Sequence, residues 1–127
     1  MEPIVFDYIK NGDLESVKKL VKSGLNIETK NFGGFSLLNY SVYYDKIDIF
    51  KYLLSKGVDV NSKNYRNVTP LHNSVLVSDL EIIKLLLEHG ADPYMKDIDG
   101  NIAMDYVKDK EEFLNLIKLT KLKELYK

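Results

Sequence analysis

At 127 residues the chain suits one domain, and a hydrophobic content of 45% provides for a buried core, which argues against disorder. A formal net charge of −1, with both signs interspersed, argues against nucleic-acid binding, which draws much of its affinity from a basic excess. Cysteine is absent, which removes disulfides, thiol nucleophiles and cysteine-based zinc sites and fits a cytoplasmic protein.

No apolar run approaches the ~20 residues needed to cross a bilayer, so no membrane association is expected. The start Met1–Asp7 lacks the basic-then-apolar pattern of a signal peptide.

The chain compares with itself at a spacing of 33 residues. Lys22-Ser-Gly24-Leu-Asn-Ile27, Ser55-Lys-Gly57-Val-Asp-Val60 and Glu88-His-Gly90-Ala-Asp-Pro93 fall in one register without gaps. Lys30-Asn31, Lys63-Asn64 and Lys96-Asp97 share it, as do the segments opening at Ser36, Thr69 and Ile102. A period of this size points to a solenoid whose units bury their apolar faces against one another. The units fall at about 1–30, 31–63, 64–96 and 97–127, within one domain over residues 1–127.

Each unit reads as two helices. In the first, about 1–30, Ser16 and Lys19 stand where the middle units have Ile49 and Tyr52, or Ile82 and Leu85; polar substitution at an end unit fits capping. In the second, Leu37, Leu38 and Ser41 face the stack from a first helix. In the third, Thr69-Pro70-Leu71-His72 is a helix start, with a capping hydroxyl and a proline whose missing N–H costs nothing there. That helix runs to about Val77, and Ser78-Asp79 breaks it and caps the next. Leu80, Ile83, Leu86 and Leu87 then form an apolar stripe. Glu81, Lys84 and Glu88 take the other side, spaced for weak ion pairs. Gly90 ends this helix in the left-handed conformation. The last unit carries a long helix from about Glu111 to Tyr126, with Phe113, Leu116, Ile117, Leu119, Leu122 and Leu125 closing the end of the stack. In strict register it places Asn115 and Lys118 at core positions, so a shifted register is expected there.

Asn67-Val-Thr-Pro-Leu-His-Asn-Ser74, followed by Leu80-Glu-Ile-Ile-Lys-Leu-Leu-Leu-Glu-His-Gly-Ala-Asp-Pro93, resembles the ankyrin repeat. Residues 67–93 match closely, 34–61 more loosely, and 3–30 and 97–126 weakly, as terminal units do. The resemblance implies an all-α ankyrin-repeat solenoid with short hairpin-like turns between units. The family's glycine between the two helices is kept at Gly12 and replaced at Asp45 and Ser78. An altered turn is expected at Ser78, because serine tolerates left-handed backbone less well than aspartate.

Little in the chain suggests catalysis or a cofactor. The two histidines, His72 and His89, have no zinc-ligand spacing. The resemblance gives His72 a local bond at the helix start, and His89 suits a helix C-terminus. Asp97/Asp99 and Glu111/Glu112 come with no nucleophile or pocket. Asp97–Asn101 lacks the further acids of a calcium loop and reads as a turn. Gly33-Gly34 lacks the lysine and hydroxyl of a phosphate loop and falls at a turn tip. No cofactor, metal or enzymatic activity is expected.

The resemblance implies that partners are held on a concave side made by the turn tips and the inner ends of the first helices. Carried over by register, the tips hold Phe32 and Phe35, then Tyr65, Arg66 and Val68, then Ile98, Asp99 and Asn101. The helix ends hold Tyr43 and Tyr44, then Leu76 and Val77. The set is rich in the aromatic and arginine side chains that dominate binding hot spots. The expected function is non-catalytic binding of a protein partner by a monomer. An inhibitor or immunity protein that neutralises a toxin or enzyme, an adaptor, and a self-associating scaffold are the alternatives.

Overall fold

The computed structural model describes residues 2–126. Among them, helices come in pairs: α1 (Ile4–Lys10) with α2 (Leu14–Lys22), α3 (Leu37–Tyr43) with α4 (Ile47–Ser55), and α5 (Pro70–Val77) with α6 (Leu80–Glu88). A 3-10 turn, Ala103–Tyr106, and a long helix, α7 (Lys110–Leu125), complete the chain. The first members of the pairs pack in sequence, α1 on α3, α3 on α5 and α5 on the 3-10 turn, forming an inner row. The outer row runs α2, α4, α6, α7. The described residues form a single β-bridge, Lys30 with Ser36, and otherwise helices and turns. This is the all-α solenoid expected from the 33-residue register.

The helix starts follow from their capping residues. Ser36 and Thr69 accept the N–H groups of Asn39 and His72 through their hydroxyls, and Asp13, Asp79 and Asp109 do the same for the outer helices. Each such cap satisfies an otherwise orphaned donor and contributes about 1 kcal/mol. Gly12, Asp45 and Ser78 all adopt left-handed backbone between the paired helices, with φ of +73°, +54° and +58°. The turn at Ser78 does differ. Asp79 N–H reaches Ser74 O at 3.4 Å, where Asp13 and Lys46 make the equivalent bond at 2.8 Å. The Ser78 hydroxyl takes the Val75 carbonyl, a site filled at Gly12 and Asp45 by the backbone N–H.

One core runs through all the pairs. Phe6, Ile9, Leu37, Leu38, Ile49, Phe50, Leu53, Leu71, Ile82 and Leu86 are essentially inaccessible to solvent. In α6 the buried stripe is Ile82, Ile83, Leu86 and Leu87; Leu80, expected in it, is 51% exposed. Leu80 lines an open pocket with Val107, Asp109 and Glu112 at the start of α7. The charges of α6 pair between units rather than along the helix: Glu81 with Lys51 at 2.8 Å and Glu88 with Lys123 at 3.2 Å. Side-by-side outer helices bring these long side chains together across the stack. His89 caps α6, with Nδ1 2.8 Å from Leu85 O.

The C-terminal region departs from two helices per unit. Ile102 stands where Ser36 and Thr69 carry capping hydroxyls, and only the short 3-10 turn forms, with Asp105 accepting the Ile102 N–H. Asp109 then caps α7 at the register position of Leu76, three residues earlier than Asp79 caps α6. The early start rotates the helix. Phe113 and Ile117 are buried in place of residues 115 and 119, and Leu116 and Thr120 are half-buried beside them. The shifted register is therefore present. Leu119, Leu122 and Leu125, expected to close the core, face solvent instead.

Candidate protein-binding face

The tips are built by one side chain per unit. Asn31 Oδ1 accepts the N–H groups of Gly33 and Phe35, Asn64 Oδ1 those of Arg66 and Val68, and Asp97 Oδ1 those of Asp99 and Asn101, all at 2.9–3.0 Å. Short polar side chains fold the backbone this way by mimicking a turn. Gly34, Asn67 and Gly100 then take the left-handed position. Gly34 is required twice over: its φ is +80°, and a Cβ there would lie 2.9 Å from Tyr65 Cδ1. The Tyr65 ring thus rests on the glycine backbone of the preceding tip. Gly33-Gly34 is a turn tip, as its register predicts.

The tips are also joined to one another. Tyr65 N–H donates to Gly33 O at 3.3 Å and Ile98 N–H to Arg66 O at 2.9 Å. At the first tip among the described residues, Glu2 Oε1 accepts the equivalent Phe32 N–H at 2.7 Å.

A second device ties each inner helix to the following tip. His72 Nδ1 faces the Thr69 N–H at 3.2 Å and hydroxyl at 2.8 Å, and Nε2 lies 2.9 Å from Asn101 O. With Nδ1 accepting, Nε2 carries the hydrogen and donates to the carbonyl. One register step earlier, Asn39 Nδ2 donates to Val68 O at 3.0 Å. Asn39 Oδ1 in turn accepts from Asn73 Nδ2. The local bond expected of His72 is present, together with a bond to the next unit.

At the last tip Asp97 also accepts from the Tyr106 hydroxyl. Burial opposes ionisation of Asp97, but the bonds from Tyr106, Asn101 and Asp99 outweigh it and hold the carboxyl below its ordinary range. An acid that receives several donors behaves this way.

The twelve face residues divide by exposure. Phe32, Tyr65 and Ile98, at one register position in three tips, are 67%, 73% and 60% exposed. Arg66, Asp99, Tyr43 and Leu76 are also exposed. Phe35, Tyr44, Val68, Val77 and Asn101 are half-buried. Val68 and Asn101 have their backbone groups committed to the tip and to the preceding helix. The Asn101 amide reaches the Tyr106 hydroxyl at 3.1 Å. Val77 packs on the core.

Phe35, Tyr43 and Tyr44 are brought together. Ring centroids lie 5.9 Å apart for Phe35–Tyr43 and 5.1 Å for Tyr43–Tyr44. At their centre is Tyr40, 6.2 Å from Phe35, 4.8 Å from Tyr44 and 5.1 Å from Phe6. Edge-on pairs at these separations stabilise beyond their buried area. Burial, followed by the hydrogen bond with Tyr44, pushes the Tyr40 hydroxyl up to about 12. Tyr40 is absent from the twelve. Its spacing three and four residues before Tyr43 and Tyr44 was the signal that could have placed it.

A model of ankyrin repeats, in three copies, matches residues 6–97. No curated protein matches the chain. The match spans more than half of the sequence, and the chain belongs to the ankyrin-repeat family.

Proposed function

We propose that the chain is a non-catalytic module that grips a protein partner on its concave face. Ankyrin repeats are generally protein–protein interaction modules. The observation that carries the reading here is the exposed apolar row of Phe32, Tyr65 and Ile98, flanked by Tyr43 and Leu76. Side chains of this size left in water at equivalent positions of successive units form a patch of the kind that marks a binding surface. The Phe35–Tyr40–Tyr44 cluster packs against the ring of Tyr43, so little freedom of that side chain is lost on binding. The working form is a cytoplasmic monomer, and the reading calls for no cofactor. Neutralising a toxin or enzyme would be one use of such a grip.

Site-specific photocrosslinking tests the reading. A benzophenone side chain at position 43 or 65, in cells expressing the protein, should trap a discrete partner. The same group at position 84, on outer helix α6, should not. Trapping at 84 alone would move the site off this face.

A further inference from the structure

The joined tips repeat one seat. Gly33, Arg66 and Asp99 share a register position, and Gly34, Asn67 and Gly100 share the next. In the first tip, Gly33 O accepts the Tyr65 N–H at 3.3 Å, and the three atoms nearest a Cβ placed on Gly34 all belong to Tyr65. In the second, Arg66 O accepts the Ile98 N–H at 2.9 Å. In the third, Asp99 O accepts no hydrogen bond from the described residues, and a Cβ placed on Gly100 would meet nothing within 4 Å. The backbone of the first and third seats is alike. The φ values are +80° at Gly34 and +81° at Gly100, and each N–H closes on the carbonyl three residues back at 3.0 Å. Yet Gly34 is buried and Gly100 exposed. What differs is the ring of Tyr65.

The occupied seats show what an empty one takes. The incoming residue gives its backbone N–H to a carbonyl of the tip, which excludes the interior of a helix, where that N–H is already bonded four residues back. The second seat residue then selects the side chain. Gly34 has no Cβ, so an aromatic ring lies on the backbone where a Cβ would stand 2.9 Å from Tyr65 Cδ1. Asn67 carries a Cβ, and the residue bonded at its seat, Ile98, has no ring. Gly100 is glycine again. The Asp99 carboxylate is exposed and in no ion pair among the described residues, which favours a basic residue next to the ring.

Resting on the concave-face reading, we propose that the partner supplies the next rung of the tip ladder. A tyrosine or phenylalanine on a turn of the partner chain donates its N–H to Asp99 O and lays its ring on Gly100, with a basic residue following it. The ring takes the register position after Ile98 and extends the apolar row of Phe32, Tyr65 and Ile98 by one place. The occupant is chosen by the molecule's own example, since Tyr65 followed by Arg66 fills the matching seat at Gly33-Gly34.

A cyclised peptide copying residues 63–68, the segment that fills the first seat, tests this by NMR of the isotope-labelled chain. Ring current from the bound tyrosine should move the Gly100 α-protons upfield. N-methylating the peptide's tyrosine amide should weaken binding about two- to tenfold, the worth of one hydrogen bond. Replacing that tyrosine with leucine should weaken it by a similar factor. Gly100→Asn should abolish the preference for tyrosine over leucine. It should leave the melting midpoint nearly unchanged, because Asn67 holds the same left-handed position in the second tip at φ +59°. Binding indifferent to the ring, to N-methylation or to Gly100→Asn would overturn the proposal. Self-association of the chain that Gly100→Asn abolishes would assign the seat to a second copy instead. If position 65 crosslinks a partner equally well with and without Gly100→Asn, the face stands and the seat falls. If neither 43 nor 65 crosslinks anything, the face falls and this proposal with it.

Discussion

Replacing His72 with alanine tests whether one side chain couples α5 to the last tip. His72 is 2% exposed. Its ring holds the Thr69 N–H at 3.2 Å, the Thr69 hydroxyl at 2.8 Å and the Asn101 carbonyl at 2.9 Å. Alanine leaves the Thr69 amide and the Asn101 carbonyl without these partners. A buried polar group stripped of its partner costs about 1–3 kcal/mol, so the two together cost about 2–6 kcal/mol, against a total stability of about 5–15 kcal/mol for such a domain. His72→Asn should fall between alanine and wild type, because Asn39 makes the cross-unit bond in the equivalent place, to Val68 O at 3.0 Å. Asparagine there restores the bond to Asn101 but not the one to Thr69. Urea unfolding followed by circular dichroism measures both, with a slope of about 1–3 kcal/mol per molar. Hydrogen exchange at Ile98 and Asn101 should accelerate in the alanine variant before global unfolding does, because units are coupled to their neighbours. If alanine and asparagine destabilise equally, the cross-unit bond contributes nothing and the coupling argument fails.

Leu86→Ala should cost about 2–5 kcal/mol, since Leu86 is fully buried; an unchanged melting midpoint would contradict the packing of α6. Asp45→Asn should raise the midpoint at pH 7. A hydrogen bond shared with Asp79, then burial and repulsion by Asp79, raise Asp45 above its usual value. A raised value means stability present below the unfolded pKa and lost as pH rises through the folded one; the gain from asparagine should therefore disappear near pH 3, and a gain equal at both pH values would exclude the carboxylate contact. Alkaline absorbance titration should show one tyrosine ionising near 12, and Tyr40→Phe should remove that step. By the same sign, the part of stability linked to Tyr40 is intact below about pH 10 and lost as pH rises toward 12.

The inner row and the tips were legible because each depends on short-range chemistry repeated in register. Ser36 and Thr69 at helix starts, and Asn31, Asn64 and Asp97 at the tips, each act within four residues of themselves. The Thr69 cap and the Asp97–Asn101 turn are legible this way; Asn31 and Asn64, aligned in the same register, are assigned no role from the sequence although their bonds are equally local. Leu80, Leu119, Leu122 and Leu125 were not legible for the opposite reason. Whether such a leucine is buried depends on the angle at which a neighbouring helix arrives. For α7 that angle was set by the early cap at Asp109. The helix carries apolar residues on more than one side, so its sequence alone does not choose a face.

The same distinction separates the parts of the candidate face. Phe35, Tyr40 and Tyr44 engage one another, which accounts for their presence without any partner. Phe32 and Ile98 sit at tips whose folding depends on backbone bonds and the Asx side chains, and Tyr65 adds only its rest on Gly34. Exposed polar residues at these three places would leave the tip hydrogen bonds intact. Large apolar side chains at all three are therefore unexplained by the fold's own stability. That excess, at equivalent positions of three consecutive tips, is the argument for contact with something outside the chain, and it is stronger for this row than for the aromatic cluster around Tyr40.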